Sequence, residues 1–269
     1  SPLPEALQRE WLKDEVLEQQ VSYWKAQLGG APALNLPTDR PRLSLRYFKG
    51  GVLRFELSKE LTEALIQLAR SEGATSFMVL LAAFQLLLGQ YSGQEDVVVG
   101  SLITGRRRQA LEDVVGFANM VALRTDLSGD PRFRELLKRV EEVVLGAYEH
   151  QDLPFEELVE VVQSVPDPSR SPQPKVLFTV HNMLEQTLRL QGREMKWFGK
   201  RGSNSIFDLS VMIYESAGCL TGHVEFAAAL FDPSTIGRLV DQFKGVLERV
   251  IADPGQRLSQ LASQFIEVE

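Results

Sequence analysis

The chain has 269 residues and a formal net charge of -7, an acidic balance that argues against a nucleic-acid surface or an anionic membrane as its main partner. Its hydrophobic share of 44% and charged share of 24% fit an ordinary globular protein with material for a sizeable core. Cys219 is the only cysteine, which excludes an internal disulfide framework and fits a reducing compartment. His150, His181 and His223 lie far apart with no partner at ligand spacing, so no metal site is expected.

The N-terminus, Ser-Pro-Leu-Pro-Glu, lacks a basic region followed by an apolar run, and no window reaches about eighteen uninterrupted apolar residues. A cytoplasmic location is expected. Residues 1–15 are proline-punctuated and then charged, as the tail of an upstream segment would be. A helix then runs over Glu15–Leu28 and is stopped by Gly29-Gly30, and a proline-broken connector, Leu36 to Arg42, follows.

Gly51 to Leu57 alternates Leu53, Phe55 and Leu57 with Val52, Arg54 and Glu56, the period of a strand with one buried face. Ser58 caps a helix over Lys59–Glu72. The next helix, Ser76–Tyr91, is apolar nearly all round and too short to span a bilayer, which marks it as the central core helix. Asp96–Ile103 is a β-branched run expected to be buried on both faces, and it empties into Gly105-Arg106-Arg107-Arg108. Those arginines read either as a solvated loop or as a phosphate or carboxylate contact. A strand over Phe117–Arg124 precedes a helix whose stripe is Phe133, Leu136, Leu137, Val140, Val143, Val144 and Ala147.

That helix ends at His150-Gln151-Asp152-Leu153-Pro154-Phe155-Glu156-Glu157-Leu158. Asp152 can cap, Pro154 fits a first helical turn, and the two glutamates sit where the helix dipole favours them, so this stretch is a corner between two helices. After a loop at Val165–Pro174, strands are expected over Lys175–Asn182, Arg189–Phe198, Ile206–Glu215 and Leu220–Ala228. The last two form an antiparallel hairpin through a Gly218-Cys219 turn, and Ser234–Ala252 is the final helix. The order gives an α/β (α+β) two-layer sandwich on a mixed, largely antiparallel sheet. Glycine-rich nucleotide loops and a nucleophile elbow are absent from the sequence.

The words of the corner, His150 to Glu156, resemble the His-Gln-Asp-x-Pro-Phe-Glu motif of the condensation domains of nonribosomal peptide synthetases. Four further stretches resemble motifs of that family in the same order. These are Gly100-Ser101 with Gly105-Arg106; Val115 to Asn119 with Arg124 to Leu127; Asp167 to Pro172 around Arg170; and Phe207-Asp208-Leu209 with the closing strands. The resemblance implies a chloramphenicol-acetyltransferase-like fold and amide formation between thioesters borne on carrier proteins. It also implies a tunnel between two subdomains, with the phosphopantetheine arms of the carriers as substrates and no cofactor bound by the chain itself. The family's catalytic His-His-x-x-x-Asp-Gly motif is not in this sequence.

The resemblance therefore points to the C-terminal subdomain over 46–269, with an inter-subdomain helix and connector over 1–45. The implied partners are an N-terminal condensation subdomain, donor and acceptor peptidyl carrier proteins and an adjacent adenylation domain. No catalytic residue is assigned, and neither His150 nor His181 occupies the family's catalytic position. The tunnel candidates are Asn119, Asn182, Ser101 and Arg106. Asn119 can equally be an amide held by backbone at a bulge. His150, Gln151, Asp152, Pro154, Phe155, Glu156, Arg170 and Asp208 are read as structural motif residues. Other readings are a non-catalytic scaffold that docks carriers, an epimerising relative, or a coenzyme-A-dependent acyltransferase. A surface turned toward a second subdomain is expected to expose more apolar area than a monomer tolerates.

Overall fold

The computed structural model describes residues 14–42, 48–104, 118–151, 153, 155, 157–158, 174–182, 204–205, 207–216 and 218–262. Helix α1 (Asp14–Leu28) leads through the connector to β1 (Phe48–Glu56), α2 (Lys59–Ser71), α3 (Ser76–Ser92), β2 (Asp96–Thr104), β3 (Ala118–Asp126) and α4 (Phe133–Glu149). Then come β4 (Val176–Asn182), the two-residue β5 (Asn204–Ser205), β6 (Leu209–Ser216), β7 (Cys219–Ala227), α5 (Pro233–Ala252) and α6 (Leu258–Ala262). The strand expected over 189–198 lies outside the described residues, and α6, five residues long, is too short to leave a readable period.

The strands form one seven-stranded sheet in the order β3-β2-β4-β6-β7-β1-β5. Strand β4 runs parallel to β2 and β6, and every other neighbouring pair is antiparallel. The expected hairpin between β6 and β7 is present, with one correction. Cys219 already pairs with Ser216 as the first residue of β7, and Gly218 carries the turn at φ 79°. The left-handed backbone there favours a glycine.

Helix α3 fills the core, as its apolar circumference predicts. Thr75 caps it by accepting from the Met78 amide, and every residue from Met78 to Gly89 is buried. Phe84 stacks on Phe178 of β4 with centroids 4.8 Å apart and meets Phe243 of α5 edge-on at 5.8 Å. Two buried polar side chains tie helices to strands: Gln85 donates to the Leu123 carbonyl of β3, and Thr62 of α2 accepts from the Leu220 amide of β7. Ser58 caps α2 as expected.

Because Phe178 faces α3, strand alternation assigns the two faces of the sheet. Val176 and Phe178, with Leu209, Val211, Ile213, Val224 and Phe226 beside them in register, turn to the helices and are buried. Leu177, Thr179 and His181, with Ser210, Met212, Tyr214, His223 and Glu225, turn to the outer face. On β1 and β7, two phenylalanines each lie against a glycine of the other strand. Phe55 pairs with Gly222 and Phe226 with Gly51, and a Cβ on Gly222 would stand 2.5 Å from the Phe55 ring and 3.0 Å from the Met212 carbonyl oxygen. Gly222→Ala must therefore push a core ring or a strand aside, at a cost of about 1–3 kcal/mol. Urea denaturation of that variant is expected to show an earlier midpoint with an unchanged slope, and an unchanged midpoint would refute the packing argument.

Candidate functional site: one end and the outer face of the sheet

The sheet has two distinct ends. Strands β2, β4 and β6 finish, and β3 and β7 begin, at the end that carries Thr104, Asn119 and Asn182. Asn119 pairs with Ile103 and Asn182 with Glu215, so the fold brings the two candidate asparagines to the same end of neighbouring parts of the sheet. Ser101 pairs with Val121 in the row that faces the helices and is 1% exposed. It therefore meets the helix layer of this chain rather than the outer face. Arg106, Asp152, Pro154, Glu156 and Arg170 lie outside the described residues.

Helix α4 runs back along the sheet and delivers the His150 corner. His150 is its C-cap residue, and the Nδ1 nitrogen lies 2.8 Å from the Gly146 carbonyl oxygen, which places the ring hydrogen on that nitrogen. The imidazole stacks flat on Tyr23 of α1, with centroids 3.9 Å apart and planes 5° from parallel. Trp24 donates its indole N–H to the His150 carbonyl at 2.8 Å, and the Tyr23 hydroxyl passes so close to Gly146 that a Cβ there would overlap it. Gln151 donates to the Tyr148 carbonyl, and Leu153, Phe155 and Leu158 are buried beneath the corner, with Phe155, Glu157 and Leu158 in helical conformation. The described residues of the motif thus tie α1 to the end of α4. His150→Ala removes the ring contact and one hydrogen bond, worth about 1–2 kcal/mol together. Its denaturation midpoint is expected to fall and proteolysis within α1 to accelerate, and neither would change if the stack were incidental.

Asp208 is the other described motif residue. Only 6% exposed, it receives both Nη groups of Arg42 at 2.9 and 2.6 Å, and this pairing holds the guanidinium pKa above its ordinary value. The connector around Arg42 is stitched down along its length. Asp39 accepts from the Asp232 amide and the Thr235 hydroxyl at the start of α5, and Arg40 binds Asp232 and the Ala228 carbonyl. At the other edge, Arg124 of β3 grips Asp96 with two bonds and the carbonyls of Gln27 and Gly29 at the end of α1.

The outer face carries a row of rings that sequence reading did not pick out. His181, Tyr214 and His223, on three adjacent strands, stack at 5.4 and 5.6 Å. His223 lies 3.8 Å from Glu225, and the Tyr214 hydroxyl donates to the Met212 sulfur. Thr179, two residues before His181, is buried, and its hydroxyl has no hydrogen-bond partner among the described residues. The signal was present only as chemistry at even offsets within three strands; the register that assembles it comes from the fold. Among the described residues the exposed large apolar side chains are Val16, Val52, Leu145 and Tyr148.

Burial lowers the pKa of His181, with help from His223; burial also lowers that of His223, where Glu225 opposes the shift and Arg54 reinforces it. Above the ordinary histidine value of 6.5 neither the folded nor the unfolded state holds these protons. As the pH falls through that value, the unfolded chain takes up protons that the folded rings resist, so the fold loses stability toward acid. Denaturation midpoints measured between about pH 7 and 5 should fall in the parent and fall less in a His181→Gln, His223→Gln double variant. Equal slopes would exclude these rings as the cause.

A family model described as Condensation domain matches residues 6–265. The chain belongs to the condensation-domain family. A linear gramicidin synthase of Brevibacillus parabrevis is 45% identical over 260 residues, 95% of this chain and 3% of that protein. The X-domain from teicoplanin biosynthesis superposes with a TM-score of 0.81 at 28% identity, over 95% of this chain and 59% of that one. The same X-domain in a complex with OxyB gives 0.77 at 29% identity, over 91% of this chain and 55% of that one. The chain thus spans a small part of its synthase relatives and a little over half of these structures. The seven-stranded mixed sheet with its helix layer is the chloramphenicol-acetyltransferase-like condensation fold that the motifs suggested.

Proposed function

We propose that this chain is the C-terminal half of a nonribosomal peptide synthetase condensation domain. The observation that carries the reading is the combination of a family match over residues 6–265 with a sequence that contains no two adjacent histidines. In the reaction, the acceptor's α-amine attacks the donor's thioester carbonyl, a C–N bond forms, the C–S bond breaks, and the amine's proton leaves as the donor thiol is released. The catalytic work is to hold two phosphopantetheine-tethered substrates end to end and to manage that proton. This half would supply a tunnel wall and carrier-docking surface, with Asn119 and Asn182 at the end of the sheet nearest the chemistry. The N-terminal subdomain would supply the catalytic histidine, and donor and acceptor carriers and a neighbouring adenylation domain would complete a cytoplasmic assembly.

A second reading has its own support. The similar X-domain was solved in complex with OxyB, so a condensation-type fold can serve as an interaction module. On that reading the chain docks partners without chemistry.

The chain alone is expected to form no amide between aminoacyl carrier proteins, and joining it to an N-terminal half, covalently or in trans, is expected to restore turnover. In the complete domain, Asn119→Ala and Asn182→Ala are expected to lower turnover with little change in stability, whereas a structural amide would cost about 1–3 kcal/mol of folding free energy. Turnover by the chain alone, abolished by His181→Ala, would sink the proposal. Failure of every N-terminal half to restore activity would favour the interaction module.

A further inference from the structure

At the end of the sheet opposite Asn182, the chain places two cations around a single carboxylate. Lys175 stands one residue before β4, and Asp208 one residue before β6. The Asp208 amide donates to the Lys175 carbonyl at 2.8 Å, extending the β4–β6 pairing beyond the strands. Arg42 arrives from the connector and takes both oxygens of Asp208. Among the described residues that leaves the Lys175 ammonium half-buried with no hydrogen bond or close ion pair of its own, feeling the charge of Arg42 and, in the opposite sense, that of Asp208.

A half-buried ammonium normally recovers its lost hydration from an acceptor. Among the described residues the carboxylate whose charge reaches Lys175 is Asp208, and both of its oxygens are taken by Arg42. Arg42 and Lys175 against Asp208 leave one net positive charge. Asp208 holds the guanidinium in place through two of its N–H groups, so other donors of the fork remain. Burial above all, and then Arg42, lower the lysine's pKa while Asp208 opposes them, and a bound anion would relieve the net lowering.

The geometry points to Lys175 and Arg42 as a binding site for a phosphate-class oxyanion, with Asp208 as the residue that positions the guanidinium. Phosphate suits a planar fork set beside a point charge, because each cation engages a different oxygen. Two sources share this chemistry: free phosphate, and the phosphate of a phosphopantetheine arm. The choice of the second rests on the function proposed above; the site itself does not.

Titration of the 269-residue chain at low ionic strength with inorganic phosphate and, separately, with pantetheine 4′-phosphate tests the site. Saturable binding is expected with a dissociation constant on the order of millimolar, accompanied by amide resonance shifts at Lys175 and Asp208. Lys175→Gln is expected to weaken binding about tenfold, the loss of one charge-assisted contact, while Lys175→Arg retains it. Arg238→Gln, on an exposed face of α5, is the control and is expected to bind as the parent does. Tighter binding of pantetheine 4′-phosphate than of inorganic phosphate assigns the site to a carrier arm, and equal binding assigns it to free phosphate.

The proposal is overturned if no saturable binding occurs, if Lys175→Gln binds as the parent does, or if Arg238→Gln weakens binding equally. A complete condensation domain that forms amide while its Lys175→Gln variant binds phosphate unchanged would refute the site and leave the proposed function standing. Lys175-dependent phosphate binding without amide formation would do the reverse.

Discussion

Everything else in this fold is arranged around the burial of α3. A helix with no polar face can only exist if it is covered on all sides, and the sequence provides four covers. The sheet lies beneath it, and α2, α4 and α5 surround it. The contact of Phe84 with Phe178 and Phe243 is where the sheet, the core helix and the last long helix meet in one cluster of rings. Gln85, the polar residue of that buried stretch, binds the Leu123 carbonyl, so even the exception in the pattern fixes the helix to the edge strand. Constraining α3 in this way determines which face of each strand meets the helices, and the opposite face is released for other side chains, Leu177 and Met212 among them.

That release explains how polar chemistry comes to be concentrated on one side. Thr179, Ser210, His181, Tyr214, His223 and Glu225 share the face opposite the helices, while their neighbours in sequence form the core. The family motifs around His150, Arg124 and Asp208 serve a different end. His150 joins α1 to α4, Arg124 joins α1 to β3, and Asp208 joins the connector to β6. Each uses a polar group to hold a backbone path that apolar packing leaves undetermined.

Much of the fold was legible because its physics is local. The Ser58 cap, the alternation of β1, the apolar circumference of α3 and the stripes of α4 and α5 each stand in a single window of sequence. What the sequence withheld was pairing. Nothing local says that Ser101 faces helices, that Gly222 exists to admit Phe55, or that His181, Tyr214 and His223 become one row. Those facts depend on register between strands up to tens of residues apart. The site suffers the same limit more severely: Asn119 and Asn182 were chosen by resemblance, whereas Lys175 became notable only once Asp208 was seen to be fully engaged by Arg42.

The stitching of the connector bears on how condensation domains can be recombined. Residues 38–42 read as a tether in sequence, yet Asp39, Arg40 and Arg42 are bonded to residues between 208 and 235. A chimera spliced inside that tether would pair one parent's arginines with another's carboxylates, and a mismatch would strand a buried charge. Seams placed so that 38–42 and 208–235 are inherited from the same parent avoid that conflict, which makes these two distant stretches a single unit of exchange.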